Sequence, residues 1–140
     1  MASMSEEARE ALLSQPQVGI LATLGEDGAP IAVPIWFEWD GKCARMFTSG
    51  MSPKVRRLEK DPRASLLVAR PAGEPEEWVA VDGTVEIHEE GALQLAERLA
   101  ERYWDLSDEG HKATLELWRK ASQALRLIEL KPTRIRSQVG

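Results

Sequence analysis

The chain has 140 residues, 43% hydrophobic and 29% charged, with 18 Lys and Arg against 23 Asp and Glu, and so a formal net charge of −5. That length supports a core without disulfides or metals, and the acidic balance argues against nucleic-acid binding by the whole surface. The lone cysteine, Cys43, permits no internal disulfide and no apolar run has membrane-spanning length, so a cytoplasmic, non-membrane protein of one domain over residues 1–140 is expected.

In chain order, Ser3 and Glu6 fit a capping box, and Ala8, Ala11 and Leu12 give a helical stripe over residues 3–14, stopped by Pro16. Val18 to Leu24 reads as a strand, and Gly25-Glu26-Asp27-Gly28 as a tight turn. Ile31, Val33, Ile35, Phe37 and Trp39 alternate with Ala32, Pro34, Trp36 and Glu38, which predicts one continuous strand paired as a hairpin with the first. Pro34 cannot donate to a central ladder, so it marks an edge, a bulge, or backbone that faces a ligand. After the Asp40-Gly41 turn comes a strand from about Cys43 to Thr48.

Ser52-Pro53 is a helix start: serine accepts a hydrogen bond from a free backbone N–H, and proline presets φ at the first helical position. The hydroxyls of Thr48, Ser49 and Ser52 precede it, and Lys54 falls where unpaired N–H groups and the helix dipole favour an anion. From Lys42 to Arg70 there are eight basic residues against two acidic ones, so this segment is basic within an acidic chain. The helix from Pro53 to Lys60 should turn Val55 and Leu58 inward and stop at Asp61-Pro62.

Ala64 to Ala69 predicts a buried strand, and Trp78 to His88 an alternating one with a bulge at Gly83. Helical spacing of Ala92, Leu95, Ala96, Leu99 and Tyr103 predicts a helix over 90–104. Ser107 is read as the cap of a second helix carrying Leu115, Trp118 and Ala121, and Leu125 to Leu130 as a last strand closed by Pro132. These elements amount to a mainly β protein with peripheral helices, a small antiparallel barrel of about six strands. Two histidines and one cysteine, with no cluster at ligand spacing, make no case for a metal site, and His88 and His111 read as solvated residues. No Gly-x-Ser-x-Gly, P-loop or dinucleotide fingerprint occurs. Redox or group-transfer chemistry would therefore come from a bound organic cofactor.

The run Gly25-Glu26-Asp27-Gly28-Ala29-Pro30, the strand end Pro34-Ile35-Trp36-Phe37 with Asp40-Gly41, the stretch Thr48 to Leu58, Asp61-Pro62-Arg63-Ala64-Ser65-Leu66 and Gly83-Thr84-Val85 together resemble the pyridoxamine 5′-phosphate oxidase-like flavoproteins. The resemblance implies a six-stranded antiparallel split β-barrel, usually a homodimer, that holds FMN or the deazaflavin F420 between subunits and passes a hydride to or from a small-molecule substrate. It implies that Thr48 and Ser49 lie near the ring and ribityl chain, that Ser52 and Lys54 hold the phosphate with Arg57 in support, and that backbone at Ile35 and Trp36 meets the ring edge. Trp36 and Trp78 have the shape to stack on a ring, or to pack in a core or dimer seam.

The chain also departs from the oxidases proper. Ala32 and Phe37 stand where basic residues reach the phosphate, and Arg134-Ile135-Arg136-Ser137 replaces an Arg-x-His. An FMN-dependent oxidoreductase is the first expectation. Alternatives are an F420-dependent enzyme, with Arg56, Arg57 and Arg63 meeting its longer anionic tail, and a noncatalytic flavin- or haem-binding protein.

Overall fold

The computed structural model describes residues 2–140. In order it contains α1 (Glu6–Leu13), β1 (Gly19–Leu24), β2 (Pro30–Ile35), β3 (Glu38–Trp39), β4 (Ala44–Ser49), α2 (Pro53–Lys60), β5 (Arg63–Ala69), β6 (Glu77–His88), α3 (Ala92–Tyr103), α4 (Glu109–Lys120) and β7 (Leu125–Val139). The seven strands form one sheet in the order β2-β1-β5-β6-β7-β4-β3, every pair antiparallel. Leu21 near one edge, Met46 near the other, and Leu66, Val79, Val81, Ile128 and Leu130 between them share one core cluster. A flat sheet cannot bring its edges to one core, so this one curls into a split barrel.

The expected strand over Ile31–Trp39 is two strands on opposite edges of the sheet, which makes seven rather than six. The chain crosses between edges at Trp36-Phe37, where fully buried Phe37 enters the barrel core and Trp36 leaves to pack under α3 and α4. Pro34 lies on the edge strand opposite Ile20, so its missing N–H interrupts no central ladder. The first helix is capped by Ser5, not Ser3: its hydroxyl accepts from Ala8 N at 3.1 Å. Asp108, not Ser107, caps α4 by accepting from His111 N at 3.0 Å, while Ser107 Oγ donates to Asp105 at 2.7 Å.

The last strand does not end at Pro132. It runs to Val139, and the β6–β7 register slips between Asp82 and Gly83, so that Asp82 pairs with Arg134 and Gly83 with Pro132, leaving Thr133 extra. This is the bulge expected at Gly83. It falls just past Leu130, where pairing with β4 ends, and so the proline costs the ladder little. Leu12 and Leu13 of α1 close one side of the core. Leu95 and Leu99 of α3 build a second cluster with Leu125 and Leu127 on the outer face of β7. Among the described residues, no helix is long and apolar enough to cross a membrane.

Candidate functional site

The turn from β4 into α2 forms as its local sequence dictates. Ser52 takes an extended backbone (φ −63°, ψ 139°) and its Oγ accepts from Lys54 N at 3.3 Å, with Pro53 next in line and Val55 and Leu58 buried beneath. Ser52 N donates to Ser49 O at 3.0 Å, and Met51 N to Ser49 Oγ at 3.2 Å. Lys54 folds back so that its Nζ donates to Thr48 Oγ1 at 3.1 Å. One helical turn on, Arg57 Nε donates at 2.8 Å to Thr23 Oγ1 on β1. Thr23 is only 2% exposed, a hydroxyl set among the inward residues of β1. Sequence reasoning passed over it because an apolar run with one threonine reads simply as strand.

Charge separates these two cations from most of the basic segment. Arg45 pairs with Asp40 and Glu129, Lys60 with Glu26, Arg63 with Asp61, and Arg70 with Glu77. Among the described residues, Lys54 and Arg57 have only hydroxyls as side-chain partners, with no carboxylate for either. Burial, and then the neighbouring Arg57 charge, push the Lys54 ammonium below its ordinary value. Two half-buried like charges at a helix start, neither with a carboxylate partner, leave a place that an anion would relieve. Arg57 also borders a cleft of about 610 Å³, lined by Leu24, Gly25, Gly28, Arg56, Asp61 and the paired Glu26 and Lys60.

The other candidate residues lie elsewhere. Ile35 ends β2 and is buried. Trp36 stacks on Tyr103 (5.0 Å between centroids, 3° between planes) and meets Trp104 edge-on at 4.8 Å. With Phe47, Trp104 and Trp118 it lines an apolar hollow of about 230 Å³. Tyr103 and Trp104 come from α3 and its end, partners far away in sequence. Trp78 sits apart from the cradle, on the outer face of β6 with the Arg136 guanidinium 5.9 Å from its ring centre. There it shares an apolar cleft of about 550 Å³ with Ile20, Ala22, Leu67, Ala69 and Ala80.

The sequence profile of pyridoxamine 5′-phosphate oxidase matches residues 4–139, almost the whole chain. The chain belongs to the pyridoxamine 5′-phosphate oxidase family. Solved relatives of this family member agree with the curled sheet. A structure named F420 reductase is 26% identical over 90% of this chain and 94% of its own, with a TM-score of 0.74. A conserved hypothetical protein, Rv2991, from Mycobacterium tuberculosis is 26% identical over 97% and 85%, with a TM-score of 0.77. An FAD-binding protein from Mesorhizobium loti, 20% identical over 99% and 97% with a TM-score of 0.69, shares the fold. No curated protein sequence matches the chain.

Proposed function

We propose that this family member is a flavin-dependent oxidoreductase acting on a small molecule, with the cofactor held at a homodimer seam. The observation that carries the reading is the Lys54–Arg57 pair: two cations without carboxylates at a serine-capped helix start. A phosphate fits that donor set. When bound, a flavin or deazaflavin supplies hydride transfer. The work left to the chain is binding and orientation. Ser52 would hold the phosphate with Lys54, Arg57 would support it from a turn away, and Thr48 and Ser49 would face the chain that leads to the ring.

Between the two cofactors, the cleft at Arg56 and Arg57 favours F420 over the FMN that the sequence alone puts first. FMN ends at its phosphate, whereas F420 continues into an anionic tail, and Arg56 and Arg57 line a cleft that shares Arg57 with the proposed phosphate position. The relative named F420 reductase lends the same support. FMN keeps a specific observation of its own, since the hydroxyl-and-lysine cradle at Thr48, Ser52 and Lys54 needs only a terminal phosphate. Calorimetric titration with each cofactor decides between them: tighter F420 binding that weakens in Arg56→Ala is the expected result, and equal or tighter FMN binding would reverse the choice.

Thr23→Val tests the brace. It removes the acceptor for Arg57 without changing side-chain shape much, so stability should fall by about 1 kcal/mol while cofactor affinity falls several-fold. Affinity equal to that of the parent protein would remove Arg57 from the site.

The seam is proposed at the outer face of β2, β1, β5 and β6. Leu67 is 39% and Ile20 38% exposed there, beside Trp78 and a row of alanines, an apolar surface of the kind that protein interfaces cover. Leu67→Asp should convert a dimer to a monomer in sedimentation velocity and weaken cofactor binding with it. An unchanged sedimentation coefficient would move the seam elsewhere.

A further inference from the structure

The outer surface of β6 and β7 carries a second grouping of chemistry-bearing side chains, apart from the cradle. Glu86 and His88 are two residues apart on β6 and so share a face, and Glu129 on β7 lies directly opposite Glu86 in the register. His88 Nε2 is 3.4 Å from Glu129 Oε1 and 3.7 Å from Glu86 Oε2. One ligand atom from each of the three lies within 4.8 Å of the others.

The other oxygen of each carboxylate is already held. Glu86 Oε1 accepts from Lys131 Nζ at 2.7 Å, and Glu129 Oε2 lies 3.2 Å from Arg45 Nη2, whose Nη1 in turn is fixed by Asp40 at 2.5 Å. Each glutamate is thus anchored by one oxygen and turns the second toward the imidazole. Lys131 and Arg45 offset part of the repulsion between the two carboxylates, and a cation between them would offset the rest.

The spacing suits a metal. Zinc at about 2.0–2.1 Å from nitrogen and oxygen ligands in tetrahedral geometry places neighbouring donors about 3.3–3.4 Å apart. Both distances from His88 are near that edge length, so only the two carboxylate oxygens need to draw together. A histidine beside carboxylates selects a borderline transition ion over calcium or magnesium, which prefer oxygen alone.

We propose that Glu86, His88 and Glu129 form a binding site for one divalent transition ion of the zinc class, its remaining position open to solvent. The ion pins β6 to β7 at the end of β6, just before the chain turns into α3. This site departs from the metal-free expectation of the sequence, because its third donor, Glu129, lies 41 residues beyond His88. It is independent of the flavin reading, since none of the cradle residues takes part.

The test uses tag-free, chelator-stripped full chain titrated with ZnCl2 by calorimetry, with CoCl2 absorption as a reporter of tetrahedral nitrogen and oxygen ligation. The expected result is saturable binding of one ion per chain, with a rise in thermal midpoint. His88→Ala should weaken binding by at least about 100-fold, the upper figure for loss of even an outer-shell partner, and abolish the rise. Glu129→Gln, on a side chain that folding does not depend on for a core, gives a second reading should His88→Ala fail to fold. His111→Ala, which alters the other histidine, should bind zinc as the parent does. No saturable binding to the parent chain, undiminished binding in His88→Ala and Glu129→Gln, or loss in His111→Ala would each overturn the site.

Discussion

Lys54→Ala is expected to weaken flavin-type cofactor binding by about 10- to 100-fold, the worth of one charge-assisted hydrogen bond, while leaving the apo fold as stable as before or more so. The second half follows from sign. Burial and the adjacent Arg57 hold the folded Lys54 below its ordinary value of 10.5, so between that depressed value and 10.5 the unfolded chain binds more protons than the folded one. Apo stability therefore rises with pH through that window, and below it the cost of the charge is fully present. Removing the charge at neutral pH relieves that cost. A bound phosphate does the opposite and raises the Lys54 value. Binding is then linked to proton uptake, and affinity should fall as pH climbs through the depressed value toward 10.5. That alkaline loss should vanish in Lys54→Ala. Titration calorimetry across pH, with denaturation of the apo protein alongside, reads both parts. A folded variant with unaltered affinity would remove Lys54 from the site.

Gly83→Ala is the substitution expected to damage the fold most. A Cβ at this position would lie 2.0 Å from Lys131 O, 2.8 Å from Lys131 C and 3.1 Å from Pro132 Cα. These are backbone atoms of the neighbouring strand, which no rotamer change can move aside. The constraint is one of space, set by the bulge that carries the register from Asp82–Arg134 to Gly83–Pro132. Either that bulge opens or β6 and β7 separate, and the two form the longest ladder in the sheet. The expected loss is about 3 kcal/mol, the upper end for overpacking, or about 10 °C in thermal midpoint for a chain of this size. A change under about 0.5 kcal/mol, within the range of surface substitutions, would show that the bulge has slack the structure does not reveal.

How far the sequence could be read depends on the range of each signal. Helix α2 was legible to the residue because its start and stop, Ser52-Pro53 and Asp61-Pro62, are adjacent chemistry. The cradle inherited that precision, since Thr48, Ser52 and Lys54 lie within one turn of chain and one helix start. The break between β2 and β3 was not legible. Alternation continues through Trp36 and Phe37 although the chain moves there from one sheet edge to the other, and a change of pairing partner leaves no mark on a period of two. Pro132 misled for a related reason: a proline ends a strand in isolation but is tolerated where a bulge in its own strand has already interrupted the ladder. The links from Arg57 to Thr23, from Trp36 to Tyr103, and from His88 to Glu129 join residues tens of positions apart. Each residue alone carried only its type.

The most direct test of the account is to express the chain in a host that makes F420 and record the visible absorption of the purified protein. Mass analysis of the small molecule released on denaturation then identifies what was bound. A coloured protein that releases a deazaflavin, or FMN should the cleft at Arg56 and Arg57 serve another anion, is expected, with a colourless Lys54→Ala variant. A colourless parent protein that also takes up neither FMN nor F420 when they are added would leave the curled sheet standing and contradict the cofactor site.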